Sequence, residues 1–232
     1  MIAVRQNRKQ VTPPQEDYLK AIWTLSESRT VGEASTGDLA SELKVSAPAV
    51  SKMLKQMEEH GLVSHTPYYG VRLTEKGRRI ALKTVRRHRL LERFLVETLG
   101  YDLNSVHDEA ERLEHHISDE FTCRIDALLG YPRHCPHGSP IPTDEGALAG
   151  LVGEPLAEIE SPARLRVERL DRADNDLLSY LCENGLLPGA SLQLLKREPF
   201  GGDLTIEIEG RPLSMRLSRQ AAKSIIVSKE QV

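Results

Sequence analysis

Residues 35–74 read STGDLASELKVSAPAVSKMLKQMEEHGLVSHTPYYGVRLT, and the spacing of apolar residues within them decides the fold of the first third of the chain. Ser35 or Thr36 is placed to cap a short helix that turns Leu39, Ala40 and Leu43 inward. Ser46 caps a second helix, in which Val50, Met53, Leu54 and Met57 form one stripe until Gly61 ends it. The tight Lys44-Val45-Ser46 connection makes the pair a helix-turn-helix. LVSHTPYYGVRLT then alternates as two short strands around Pro-Tyr-Tyr-Gly, which is a hairpin or wing. Upstream, PQEDYLKAIWTLSES (14–28) places Tyr18, Leu19, Ile22, Trp23 and Leu25 at helical spacing behind Pro14.

The outer side of the second helix carries Ala47, Pro48, Ala49, Ser51, Lys52, Lys55 and Gln56, with Ser46 at its start. Short and donor-bearing side chains at a helix N-terminus suit entry into a major groove of double-stranded DNA. Gln56 or Lys52 is placed to reach base edges, Ser51 and Lys55 to position on phosphate, and the wing residues Tyr68, Tyr69 and Arg72 to lie along backbone or minor groove. Charge agrees with this reading. The overall net charge is -3, yet residues 1–90 hold 16 Lys and Arg against 9 Asp and Glu, while residues 91–232 hold 15 against 25. A basic head on an acidic body fits a polyanion partner at one end and cations at the other. A protein-binding winged helix is the alternative reading of the same elements.

Downstream, Thr74 caps an apolar-periodic stretch that runs without proline to Leu99, where Gly100 stops it. A second long helix is expected from about Asn104 to Leu129, because Val106, Ala110, Leu113, Ile117, Phe121, Ile125 and Leu128 recur at three- and four-residue spacing. Its stripe is long enough to pair with a symmetry mate. Eight of the 25 residues from Gly138 to Pro162 are Gly or Pro, which reads as a linker. Beyond it, RLRVERL, SLQLLKR, DLTIEIEG and SIIVS are strands and DNDLLSYLCEN is a helix, a spacing that fits a small five-stranded barrel. The expected division is a winged helix-turn-helix over 1–75, a helical segment over 76–142, a linker over 143–162 and a β domain over 163–232. The fold class is mainly α with a small β part.

The 232 residues are 39% hydrophobic and 28% charged, the balance of a soluble globular protein. No apolar run is long enough to cross a membrane, and MIAVRQNRKQVTPPQ lacks the apolar block of a signal peptide, so a cytoplasmic protein is expected. Three scattered cysteines, Cys123, Cys135 and Cys182, form neither a disulfide framework nor a Cys-rich zinc module.

Six of the eight histidines lie between residues 88 and 137. His88 and Glu92 share a helix face at i, i+4, and His107, Glu111, Glu114 and His115 share another. Two facing helices that each offer imidazole and carboxylate can build a metal site. The stretch His134-Cys135-Pro136-His137 has too few donors of its own and reads as an ordinary loop. No H-E-x-x-H, nucleophile elbow or phosphate-binding loop is present, so an enzyme is not expected, while a winged-helix sensor of an organic ligand remains open.

EDYLKAIWTL (16–25), the helix-turn-helix and wing, RRHRLLERFL (86–95), SVHDEAERLEHHISDE (105–120) and GSPIP (138–142), followed by a small β domain, resemble the diphtheria-toxin-repressor family of metal-dependent transcriptional regulators. The resemblance spans nearly the whole chain. It implies a cytoplasmic homodimer on a pseudo-palindromic operator, a central dimerisation and metal-binding domain, and a C-terminal SH3-like domain.

It also implies two metal positions, one formed by His88, Glu92 and His107 and a regulatory one formed by Asp17, Glu111, Glu114 and His115. Carboxylates at Asp17 and Glu111 match manganese-responsive members, whereas iron-responsive members place Met and Cys there. Lys20 stands where manganese-type members often carry a further Glu. Mn2+ is therefore favoured, with Fe2+ as the alternative, since hard oxygen donors hold an ion at the weak end of the divalent affinity order without thiolate. The resemblance further places Asp174 as a carboxylate given to the first position by the C-terminal domain, with Leu177 where an amide is lost. Capping of the helix at Asn175 is an equal reading of Asp174.

Overall fold

The computed structural model describes residues 11–27, 33–66, 70–171 and 175–230. They form two compact units, one from the described part of residues 1–86 with 144–146, the other from 87–143 and 147–232. Tyr68, Tyr69 and Asp174 lie outside the described residues.

In the first unit, α1 (Pro13–Glu27) starts with the Gln15 side chain accepting from Thr12 N at 3.1 Å. It buries Tyr18, Leu19, Ile22 and Trp23. Ser35 is the N-cap of α2 (Thr36–Glu42), forming a reciprocal capping box with Asp38. Lys44, at φ 54°, makes the sharp turn into α3 (Ala47–Glu59), where Ser46 accepts from Ala49 N and Val50, Leu54 and Met57 are buried. Gly61, at φ +66°, ends that helix in the left-handed conformation glycine tolerates best. Strands β1 (Val63–Thr66) and β2 (Gly70–Leu73) pair antiparallel with Val63 opposite Leu73, and Ala34 bridges to Val71 on the far side of β2.

Helix α4 (Glu75–Leu99) begins in this unit. Thr74 Oγ1 donates to the Leu62 carbonyl and accepts from Gly77 N, so one hydroxyl both closes the wing and opens the helix. At Gly77 a Cβ would lie 2.0 Å from the Leu62 carbonyl oxygen.

The second unit opens on the remainder of α4. The long helix expected over 104–129 is instead two helices, α5 (Val106–Leu113) and α6 (Asp119–Leu128). Ser118 adopts an extended conformation and its hydroxyl accepts from Phe121 N, an N-cap that starts a new helix against the continuing apolar period. Leu90, Leu91, Leu95, Val106, Ala110, Ile125, Cys135 and Ile141 form the helical core.

The β part is a six-stranded antiparallel sheet in the order β3-β8-β4-β5-β6-β7. Its strands are β3 (Glu154–Pro155), β4 (Ala163–Leu170), β5 (Ser191–Arg197), β6 (Leu204–Ile208), β7 (Met215–Leu217) and β8 (Ile225–Lys229). Helices α7 (Asn175–Glu183) and α8 (Arg219–Lys223) accompany them. The sequence pattern names four of these strands and fits them to a five-stranded barrel, because β3 and β7 are too short to show a two-residue period. The stretch read as linker carries β3, and its Leu156, Ala157 and Ile159 are buried in the sheet's core. Gly and Pro signal turns inside a fold as strongly as they signal a linker.

Gly77→Ala should lower stability by about 1 to 3 kcal/mol through overpacking against a backbone atom that cannot yield. Thermal unfolding should show the loss, and a Tm equal to that of the parent would mean that α4 shifts freely at its start.

Candidate metal centre

One turn of α4 separates His88 from Glu92, and one turn of α5 separates His107 from Glu111, so each helix presents an imidazole and a carboxylate on one face. The faces meet. His88 Nε2 is 2.9 Å from Glu92 Oε1 and 2.9 Å from His107 Nδ1, and His107 Nδ1 is 3.4 Å from Glu92 Oε1. Metal bonds of about 2.1 Å leave adjacent donors about 3.0 Å apart in an octahedron and about 3.4 Å apart in a tetrahedron. The three atoms are thus spaced as one triangular face of a coordination shell. Two of the three are well shielded, His88 being 4% and Glu92 1% exposed, and His107 is half-buried.

The opposite nitrogens of both imidazoles face a second carboxylate pair. His88 Nδ1 is 2.6 Å from Glu114 Oε2 and 4.0 Å from Glu111 Oε1, while His107 Nε2 is 3.6 Å from Glu111 Oε1. His115 Nε2 lies 3.4 Å from Glu114 Oε1. A histidine that ligates through one nitrogen and donates to a carboxylate through the other has its tautomer fixed and its basicity raised. Glu114 caps the end of α5 and is wholly buried, so the interruption between α5 and α6 falls just after a site carboxylate. Asp17 is a half-buried residue of α1 in the first unit.

Cys135 and His137, read from the sequence as part of an ordinary loop, join Glu92 in a third group whose donor atoms lie within 4.8 Å of one another. His137 Nε2 donates to the Leu103 carbonyl at 2.9 Å, which leaves Nδ1 as the nitrogen turned toward Glu92 Oε2 at 3.4 Å. That Nδ1 is buried and makes no hydrogen bond. Burial by itself disfavours the charged ring, but the Cys135 and Glu92 side chains outweigh it and raise the His137 pKa from 6.5 to about 9. The spacing Cys-Pro-His was visible in the sequence. Its partner Glu92, 43 positions earlier than Cys135, was not.

These residues fit a divalent cation, because the buried His88 and Glu92 and the half-buried His107 stand at coordination-edge distances.

In the first unit, Ser46, Pro48, Ala49, Ser51, Lys52, Lys55 and Gln56 are all exposed along the first two and a half turns of α3. Arg72 is exposed on β2, with its Nε 2.6 Å from Glu33 Oε1.

Residues 10–71 match the family described as iron dependent repressor, N-terminal DNA binding domain, and residues 74–143 match its metal binding and dimerisation domain. Residues 154–229 match the FeoA domain, an SH3-like fold. The diphtheria toxin repressor of Corynebacterium efficiens is 32% identical over 82% of this chain and 86% of its own length. The iron-dependent repressor IdeR of Mycobacterium tuberculosis is 32% identical over 92% of this chain and 96% of its own. A solved structure, a manganese-dependent transcriptional repressor in complex with manganese, is 40% identical with a TM-score of 0.87, covering 93% of this chain and 100% of the other.

His88→Ala should destabilise the metal-free protein by about 3 to 5 kcal/mol, because it removes the nearest imidazole from two buried carboxylates at once. Exposed His116→Ala should stay within about 0.5 kcal/mol of the parent; urea unfolding compares them, and equal effects would show that His88 is not a structural partner. A second expectation concerns pH. Since the folded-state pKa of His137 is raised to about 9, its imidazolium contribution is fully present below 6.5 and lost as pH rises through about 9. Urea unfolding of the metal-free protein at pH 6, 8 and 10 should show that loss, and His137→Gln should flatten it.

Proposed function

The chain belongs to the iron-dependent repressor family of metal-dependent, DNA-binding transcriptional repressors, and from this footing we propose that it is a manganese-activated homodimeric repressor of a pseudo-palindromic operator. The observation that carries the reading is the convergence of His88, Glu92, His107, Glu111 and Glu114 in one carboxylate and imidazole centre, with His88, Glu92 and Glu114 buried.

The hardness of the donors supports Mn2+ over Fe2+, because Asp17, Glu111 and Glu114 offer oxygen where a softer ion would call for thiolate or thioether. In the proposed arrangement His88, Glu92 and His107 hold one ion, while Glu111, Glu114, His115 and Asp17 hold the regulatory one. The assignment of Asp17 rests on the sequence reading alone. When bound, the ion supplies charge neutralisation and a fixed geometry for these side chains. The protein's share is a set of oriented donors, and linkage requires that DNA and metal strengthen each other's binding, by about 1 to 3 kcal/mol in typical cases.

Residues 1–75 would bind DNA and 76–142 would dimerise and hold metal. Phe121 and Leu128, seven residues apart on one face of α6, are 44% and 67% exposed and supply an apolar stripe for a second copy. A two-fold dimer presents two α3 helices, which suits an inverted repeat with half-sites about one helical turn or a multiple apart. At each half-site, Lys52 and Gln56 would meet base edges and Ser51 and Lys55 would meet phosphate, with Arg72 beside them. Among the described residues no helix is long and apolar enough to cross a membrane.

Selection of duplexes from a random library in the presence of Mn2+ should enrich an inverted repeat, and binding to it should be lost on chelation. Asp17→Ala should retain the dimer and lose the Mn2+ response, while Lys55→Ala should weaken all sequences and reduce the salt slope by about one. Enrichment without symmetry, or binding indifferent to chelator, would overturn the reading. Titration with Mn2+, Fe2+ and Zn2+ on the selected duplex decides the metal.

A further inference from the structure

We infer that Glu33 is a positioning residue for DNA binding, whose carboxylate holds the wing arginine Arg72 by the inner edge of its guanidinium and turns the outer edge toward a phosphate of the DNA backbone. The inference rests on the reading of α3 and the wing as the DNA-binding face but is independent of which ion activates the protein.

The wing is wider than its hairpin. Val71 N donates to the Ala34 carbonyl at 2.9 Å and Ala34 N donates to the Val71 carbonyl at 3.2 Å, so the residues leading into α2 add a short third rung beside β2. Gly70, at φ +126°, lies where a Cβ would be 2.9 Å from the Ala34 carbonyl oxygen and 3.1 Å from the Glu33 Cβ. Glycine is what lets Glu33 come this close to β2. Ser35 follows at once as the N-cap of α2, locked to Asp38 by the capping box. Glu33 is thus pinned just before a sheet bridge and a helix start.

The other edge of the wing is tied as well. His65 of β1 stands opposite Val71, and its backbone N–H donates to the Glu58 carboxylate of α3 at 3.1 Å. With one edge joined to the start of α2 and the other to α3, the wing keeps one orientation relative to both helices.

Within this frame the ion pair is lopsided. Arg72 Nε lies 2.6 Å from Glu33 Oε1, yet the Glu33 side chain is 16% exposed and that of Arg72 63%. The carboxylate is the sheltered, fixed partner and the guanidinium is the presented one. A pair this exposed adds little to folding stability. Its effect is to restrict a long side chain before a ligand arrives, which lowers the ordering cost of the contact that follows. A guanidinium held at Nε keeps its terminal edge for a second, bidentate anion, and phosphate matches that fork. By charge alone Glu33 would oppose DNA, so positioning and simple repulsion predict effects of opposite sign.

The test measures binding of the full-length protein, loaded with Mn2+, to duplexes of random sequence at low salt, because a phosphate contact is independent of base sequence. Arg72→Ala should weaken binding by about tenfold and reduce the salt slope by about one. Glu33→Ala should weaken it by about three- to fivefold although a negative charge is removed, and Glu33→Gln, which keeps a carbonyl acceptor within reach of Nε, should fall between it and the parent. In the Arg72→Ala background Glu33→Ala should leave binding unchanged or tighten it, since only the repulsive charge is left to remove. Melting of each variant near the parent Tm establishes that the wing folds, with Glu33→Gln carrying both comparisons if Glu33→Ala melts early. The inference is overturned if Glu33→Ala fails to weaken binding while Arg72 is present, if it weakens binding equally without Arg72, or if Arg72→Ala binds as the parent does. Failure of the proposed function would register separately, as absence of a Mn2+-responsive inverted repeat among selected duplexes.

Discussion

Placing the Glu92 and Glu114 carboxylates in the interior is the constraint on which the second unit depends. A buried carboxylate is tolerated only where charge and hydrogen bonds compensate it, and here His88 stands between the two, its nitrogens 2.9 and 2.6 Å from their oxygens. One imidazole thus locks α4 to the end of α5. Around it Leu90, Leu91, Val106 and Ala110 close an apolar wall that lowers the local dielectric, so each polar contact inside is strong when made and costly when broken. Such a centre is a poor source of raw stability but a strong selector of one register between two helices.

That register explains why the apolar period from Val106 to Leu128 does not yield a single helix. If it continued unbroken, the turn after Glu114 would follow α5 onward. Ser118 instead accepts from Phe121 N and redirects the chain, so Ile125 returns to the core while Phe121 and Leu128 stay outside. A serine N-cap contributes about 1 kcal/mol, enough to choose between two conformations of comparable packing.

The loop after α6 meets the same constraint from another side. Arg89 and Arg93 of α4 donate to the carbonyls of Pro140 and His134, and Leu170 N donates to the His137 carbonyl. The helical and β parts therefore share one loop, and residues 87–143 and the β part cluster as a single unit. In the first unit the counterpart of this economy is Thr74, whose hydroxyl ties the wing to the first turn of α4 while Gly77 lets the two backbones meet.

The sequence by itself determined whatever depends on near neighbours along the chain. Caps at Ser35, Ser46 and Thr74, the stripe of Val50, Leu54 and Met57, the Gly61 stop and the i, i+4 pairing of His88 with Glu92 are all set within about one or two helical turns, so spacing alone reveals them. Tertiary structure decided what joins distant segments. Cys135 and His137 acquire meaning only when loop hydrogen bonds and the Leu103 carbonyl aim them at Glu92. β3 and β7 exist only as partners of β8 and β6, being too short to carry a pattern of their own. The physical reason is range: propensity and periodicity are local, whereas burial of a charge and completion of a sheet edge depend on surfaces supplied from elsewhere in the chain.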